Sequence, residues 1–311
     1  MPDKADSSLR IAYLAPEIPA LSATFVYNEI LELNKLGVEV KPFSVHRPGH
    51  LATEATLSQI RNNVFHLYET AKFQVLSDNL IMLFTRPNGY LQAAGRLISD
   101  VFNQGLISRS ALGLGYRFFY AATLAKHLRQ GKIQHLHVHF AHIPTDIAMY
   151  AAPMAGIGFS VQAHANDLFE RGWLLKKKVD RSVFFATISE FNQRFLENLN
   201  ADSKKIKIIR CGVDQGWQPP AKPTQKNEIF TIGTVGQLVE KKGIDTLIDA
   251  ISTLVKSDRK VCLKIAGNGP LESALKNQAV SLGLTDESVQ FVGALPHAQV
   301  AEFISGLDVF V

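Results

Sequence analysis

The 311-residue sequence predicts an α/β protein of two tandem, Rossmann-like doubly wound domains, the second incomplete. Three observations carry this. Short apolar runs alternate with helix-length segments, as in a parallel sheet with helices on both faces. The alternation breaks once, at the Pro-, Gly- and Lys-rich stretch CGVDQGWQPPAKPTQKNE (211–228), and then restarts. The chain is also longer than one hydrophobic core usually holds. A first domain at 1–210, a linker at 211–228 and a partial second domain at 229–311 follow.

In the first domain the strand-like runs are 10–15 (RIAYLA), 38–45, 133–140, 159–163, 183–188 and 205–210. The uncharged run IAMYAAPMAGIGFSVQA (147–163) approaches membrane-spanning length. Pro153, two glycines and Gln162 make it a helix followed by a buried strand instead. In the second domain strands fall at 229–235, 261–266, 289–292 and 308–311. Within TVGQLVEKKGIDTLIDAI (234–251), Ile244, Leu247, Ile248 and Ile251, continued by Leu254 and Val255, repeat at helical spacing, so the segment reads strand, turn, helix. Doubly wound sheets usually carry five or six strands, and this one reaches its fourth at Val311, so the sequence reads as a fragment.

The composition, 46% hydrophobic and 20% charged, is that of a globular protein. Thirty-three basic against 28 acidic residues, a net +5, favour anionic partners such as nucleotides, phospholipid headgroups or acidic glycans. No concentrated basic run points to nucleic acid. Cys211 and Cys262 stand apart with no Cys/His cluster, which argues for a reducing compartment and against structural zinc. The N-terminus lacks a secretory design, and a cytoplasmic place is expected. The segment 115–132 (GYRFFYAATLAKHLRQGK) has four basic residues, no acids and four aromatics. That composition suits peripheral contact with the inner membrane, or a packed core.

Ligands of open α/β sheets bind at the carboxyl ends of the strands, so the residues after each strand are the candidates. These are Ser22 and Thr24, which can also serve as helix caps; His139 and His142; His164, Asn166 and Asp167; Ser189 and Glu190; and, in the second domain, Gly236–Gly243 and GNGP at 267–270. His164 and Asp167, three residues apart directly after a buried strand, suit proton handling or gripping sugar hydroxyls. His137 and His139 have a metal-ligand spacing, but no carboxylate or thiolate stands near them in sequence. The Gly113–Gly115 run lacks the third glycine and preceding strand of a dinucleotide fingerprint, and neither second-domain loop completes one or a P-loop. No Asp-x-Asp pair is present for a metal–diphosphate complex. What remains is a metal-independent diphosphate site of backbone N–H groups and lysine at the turn before 244, where Lys241 and Lys242 stand beside a helix N-terminus.

The motifs PALSATFVYNEI, HVHFA, QAHANDLF, TISEFNQRFL, IIRCGVD, VGQLVEKKGIDTLIDAI, LKIAGNGPLESAL and FVGALPHAQVAEFISGLDVFV, in this order, resemble those of the family 4 retaining glycosyltransferases, which have two facing Rossmann-like domains (the GT-B arrangement), and particularly bacterial members that build exopolysaccharides of the colanic-acid kind. The resemblance implies a donor-diphosphate site at Gly236–Gly243, with Gln237 within it and Lys242 as the phosphate contact. It implies a nucleotide loop carrying Asn268 and Gly269, and a wall around the base from Phe291 through Gly293 to Ala294. His164 and Asp167 would face the donor sugar and the acceptor hydroxyl as catalytic groups. Thr24 and Phe25 match the mobile first loop at the cleft, and His139 joins them as an acceptor-side residue. A nucleotide-diphosphate sugar as donor substrate, a glycan or lipid-linked acceptor, no cofactor, no metal and reaction with retention are implied likewise. The chain departs from the pattern at Gln237, where the family usually has arginine, and the family's E-x7-E glutamate pair lies beyond Val311. An inactive nucleotide-binding or scaffold remnant is the alternative from another class, and a donor-hydrolysis assay separates the two.

Overall fold

The structure, a computed structural model, describes residues 9–20, 23–49, 57–212 and 229–311. Ser22 and most of the expected linker, from 213 to 228, lie outside the described residues. The chain divides into two compact units, Met1–Gly212 and Val213–Val311, each with its own sheet.

The first unit runs β1 (Arg10–Glu17), α1 (Thr24–Lys35), β2 (Glu39–His46), α2 (Ser58–Asn63), β3 (Phe65–His66), α3 (Lys72–Thr85), α4 (Pro87–Gln104), α5 (Arg109–Gln130), β4 (His135–His139), α6 (Ile143–Ala155), β5 (Gly158–Gln162), α7 (Ala165–Phe169), α8 (Leu175–Arg181), β6 (Phe185–Thr187), α9 (Glu190–Asn198) and β7 (Ile206–Ile208). Its seven strands lie in the order β3-β2-β1-β4-β5-β6-β7, paired parallel throughout. The expected strands are all present. β3 is an addition, a two-residue edge strand that pairs only at Phe43 and Ser44.

Alternation along the strands sorts side chains between the two faces. On one face Ala12 and Leu14 of β1 and Leu136 and Val138 of β4 join the large core beneath α3–α6. On the other, Tyr13 and Ala15 pack with Val26, Tyr27 and Ile30 of α1. His135, His137 and His139 have the opposite parity to Leu136 and Val138, so the sheet lines up three imidazoles on the α1 side.

The run 147–163 is a helix and then a buried strand, and no helix among the described residues is long and apolar enough to cross a membrane. The segment 115–132 falls mostly within α5. Phe118, Tyr120, residues 121–125 and Leu128 are buried, so most of its apolar surface serves the core, while Tyr116 and Phe119 are exposed.

The second unit runs β8 (Phe230–Val235), α10 (Ile244–Lys256), β9 (Val261–Ala266), α11 (Glu272–Ser281), β10 (Val289–Gly293), α12 (His297–Ser305) and β11 (Val309–Phe310), with a parallel sheet ordered β10-β9-β8-β11. Ile244, Ile248 and Ile251 of α10 enter its core with Leu263 and Ile265 of β9, as the periodicity predicts.

Candidate functional site

In the first unit the candidates gather where β4 and β5 end. His164 caps α7, and the two ends of the cap are reciprocal. The imidazole accepts from the Asp167 N–H, and the Asp167 carboxylate accepts from the His164 N–H at 2.8 Å. The other Asp167 oxygen accepts from the Ala141 N–H. Asp167 is fully buried, and burial pushes its carboxyl up to about 6, against main-chain hydrogen bonds that pull it down. Both oxygens are occupied by main-chain donors. Through these bonds the residue ties the end of β4 to the start of α7.

His164 keeps an unused group. Its Nε2 is buried and has no hydrogen-bond partner, so Nδ1 takes the cap bond and the proton falls on Nε2. Burial first, and then His139, push its pKa down to about 4, so the ring is neutral near pH 7. Phe25 packs 4.6 Å from this ring and Phe140 5.0 Å, centroid to centroid. Thr24 opens α1, but Ala23 occupies the cap position and no side chain caps the helix, so capping is not what Thr24 does.

The turn after β4 is held on every side. Phe140 has a left-handed φ of 73°. Its N–H bonds the Gln162 carbonyl, and its own carbonyl accepts from Thr145 Oγ1 at 2.8 Å. The next carbonyl, of Ala141, accepts from Lys178 Nζ at 2.6 Å. Lys178 is fully buried and sits 2.8 Å from Asp146, whose other oxygen accepts from Arg117 and from the Trp173 indole N–H. Nothing in the Lys176–Lys178 run marks one lysine as internal except its phase: Lys178 shares a helix face with buried Leu175 and Val179.

His139 is buried beside Phe25, and its Nε2 lies 2.8 Å from Glu29 Oε2. Glu29 also bonds Tyr13; burial first, and then this carboxylate, push the phenol far above its ordinary value. Glu29 was not apparent in the sequence, where no carboxylate stands near His137 and His139; the fold supplies one. The ligand-capable atoms of Glu29, His137 and His139 lie within 4.8 Å of one another. Zinc bonds of this kind place ligand atoms about 3.4 Å apart. As they stand, Glu29 and His139 are 2.8 Å apart, the two rings are in edge contact, and a cation would require the three to draw inward. His137 is held neutral by burial and by its histidine neighbours, and its Nδ1 lies 2.7 Å from Ser160 Oγ. His142, expected at the same rim, bonds the Ile143 N–H through Nδ1, and burial pushes it down to about 3.

In the second unit the donor-side residues meet at the carboxyl edge of the sheet. The Gly236 N–H bonds the Ala266 carbonyl, the Leu238 N–H bonds the Asn268 carbonyl, and the Gly267 N–H bonds the Gly293 carbonyl. Three strand ends are thus tied in a row. Gly267, at φ 141°, passes so close to the Gly236 carbonyl that a side chain has no room, and a Cβ on Gly269 would run into the Leu238 main chain. Lys242 folds back over Gly236, its Nζ 3.9 Å from where a Cβ would stand. Gln237 and Asn268 are exposed on this edge. The α10 N-terminus begins at left-handed Gly243, and Asp245 in its first turn already sets a carboxylate against the helix dipole. The N–H groups of Gly236, Leu238 and Gly267 are taken by main-chain carbonyls, and Lys242 is the cationic side chain folded over this edge.

Residues 218–311 match the family model Glycosyl transferases group 1. The amylovoran biosynthesis glycosyltransferase AmsK of Erwinia amylovora is 22% identical over 332 residues, covering 97% of this chain and 75% of its own length. The provisionally assigned colanic acid biosynthesis glycosyltransferase WcaL of Escherichia coli K12 is 28% identical over 131 residues, 42% of this chain and 32% of that protein. Anabaena Alr3699/HepE, solved with UDP, superposes with a TM-score of 0.62 at 13% identity over 97% of this chain and 73% of its own, a likeness of fold. The family match lies on the second unit, the relatives named are glycosyltransferases at low identity, and what the whole chain shares with the solved structure is a fold of Rossmann-like domains.

Proposed function

We propose that this chain transfers a sugar from a nucleotide-diphosphate donor to a glycan or lipid-linked acceptor, with retention at the anomeric carbon, in the assembly of an exopolysaccharide. The observation that carries the reading is Lys242 folded over Gly236, on a row of glycine loops too tight for side chains. Such an edge lets a diphosphate come close to the main chain beside one ammonium, without a metal ion. Similarity to a protein solved with UDP and UDP-glucose supports the donor class, and similarity to AmsK supports the exopolysaccharide acceptor. In the first unit, His164 is the group suited to the reacting end. Its neutral ring has one N–H to give, and a sugar or phosphate oxygen would accept it.

Calorimetric titration with UDP and GDP, with and without EDTA, tests the diphosphate site. The parent binds one of them without metal, and Lys242→Ala weakens binding roughly ten- to hundredfold, the worth of one charged hydrogen bond. Equal affinity in parent and variant overturns the site. Transfer is tested separately, by following labelled sugar from the bound donor into glycan.

A further inference from the structure

We propose that the outer faces of α3 and α4 and the start of α5 form a docking surface for an anionic lipid bilayer. Each helix contributes an apolar stripe turned to solvent. On α3 the stripe is Phe73, Leu76, Leu80 and Phe84, spaced i, i+3, i+7, i+11, with Phe73 and Phe84 76% and 79% exposed. On α4 it is Leu91, Ile98 and Phe102, again spaced i, i+7, i+11. The connection to α5 adds Leu106 and Ile107, the latter 91% exposed, and α5 adds Leu112 and Phe119. The α3 and α5 stripes lie side by side, because Asn79 of α3 bonds the Phe119 carbonyl. Scattered exposed apolar residues are ordinary, but three neighbouring helices each with a solvent-facing stripe are not.

Charge decides what such a surface meets. Between Glu69 and Asp146 the sequence has eight basic residues and only two carboxylates, Asp78 and Asp100. Both carboxylates are buried. Asp78 is paired with Lys126, and Asp100 with Lys177 and Arg181. Among the described residues of α3, α4 and the start of α5, the exposed side chains are therefore apolar, uncharged or cationic, Lys72 and Arg109 among them, and no carboxylate of these helices is exposed. A second copy of this chain would set the same cations against each other with no carboxylate to pair them. A bilayer with anionic headgroups takes the apolar stripes at the acyl boundary and the cations at the phosphate level. None of these helices can span, so the contact is one of lying on the surface.

The test is vesicle flotation of the whole chain, which is independent of sugar transfer. The parent should float with equimolar phosphatidylglycerol and phosphatidylcholine, and far less with phosphatidylcholine alone. Phe73→Ser, Phe84→Ser and Ile107→Ser combined should lower partition at least tenfold with an unchanged melting curve, because these side chains stand in water. Lys72→Glu with Arg109→Glu should remove the preference for the anionic lipid. The proposal is overturned by an absence of flotation, by equal binding to both vesicles, or by light scattering that shows a dimer which the serine substitutions dissolve.

Discussion

Asp167 and Lys178 grip one residue, Ala141, from opposite sides: the carboxylate accepts its N–H, and the ammonium donates 2.6 Å to its carbonyl. Both are buried, and they come from the first turn of α7 and the middle of α8. The turn that carries His139 out of the sheet and His142 into α6 is fixed by buried charges. Positioning of this kind is what lets a neutral histidine act at a defined point.

Lys178→Met is expected to destabilise the fold by about 3–5 kcal/mol, the usual cost of removing one partner from a buried ion pair. It leaves Asp146 with Arg117 and Trp173 alone and the Ala141 carbonyl without its donor. Urea unfolding checks this. A change below 1 kcal/mol would mean that the cluster re-pairs without the lysine.

Asp167→Asn is expected to change how stability depends on pH. The folded carboxyl is raised from its ordinary 3.8 to about 6, so between these values the native state holds more protons than the unfolded chain. Its contribution is fully present below about 4 and is lost as pH rises through 6, a fall on the order of 3 kcal/mol. Parent and variant melting curves across pH 4 to 7 should therefore show the parent losing ground to the variant as pH rises. Parallel profiles would place the carboxyl in a wetter setting.

His164→Ala is expected to lower turnover by about a hundredfold while leaving the affinity for the nucleoside diphosphate near that of the parent, because the imidazole belongs to the first unit and the diphosphate residues to the second. His164→Asn keeps a short capping acceptor and should restore stability but not turnover. Turnover recovered in the asparagine variant would make His164 a cap and nothing more.

Gly269→Ala is expected to abolish nucleotide binding, since a methyl there meets the Leu238 main chain and pries the two loops apart. Gln237→Arg, in contrast, should tighten binding by roughly 1.5–3 kcal/mol by adding a cation at an exposed place on the same edge. Calorimetry on both reads the pair of effects.

The strands were legible because buried parallel strands are near-continuous apolar runs bounded by turn residues. β3 was not, because two residues at a sheet edge carry no period. The position of His164 and Asp167 could be read from the sequence, but not the reciprocal cap they form. A reciprocal cap is usually written with serine or threonine first, and histidine in that place reads as chemistry. Glu29 lies in α1, with β2, β3 and α2–α5 between it and the strand it meets, so only the folded sheet brings it to His139. The aromatics of 115–132 suited both a core and a lipid surface, and composition has no phase. The fold put Phe118 and Tyr120 inside and left the solvent-facing stripes mainly to α3 and α4.

Ser160 Oγ lies 2.7 Å from His135 Nε2 and 2.7 Å from His137 Nδ1. A hydroxyl has one hydrogen, so it can be given to only one of the two rings, and the other ring must supply its own. The two imidazoles therefore play opposite parts toward it, one accepting and one donating, and because one meets it through Nε2 and the other through Nδ1, both rings carry the same tautomer. If half-buried His135 gains a proton, the hydroxyl must turn to receive from it and give to His137. Solvent at one end of β4 thus sets which nitrogen of the next ring is bare, one residue pair short of His139.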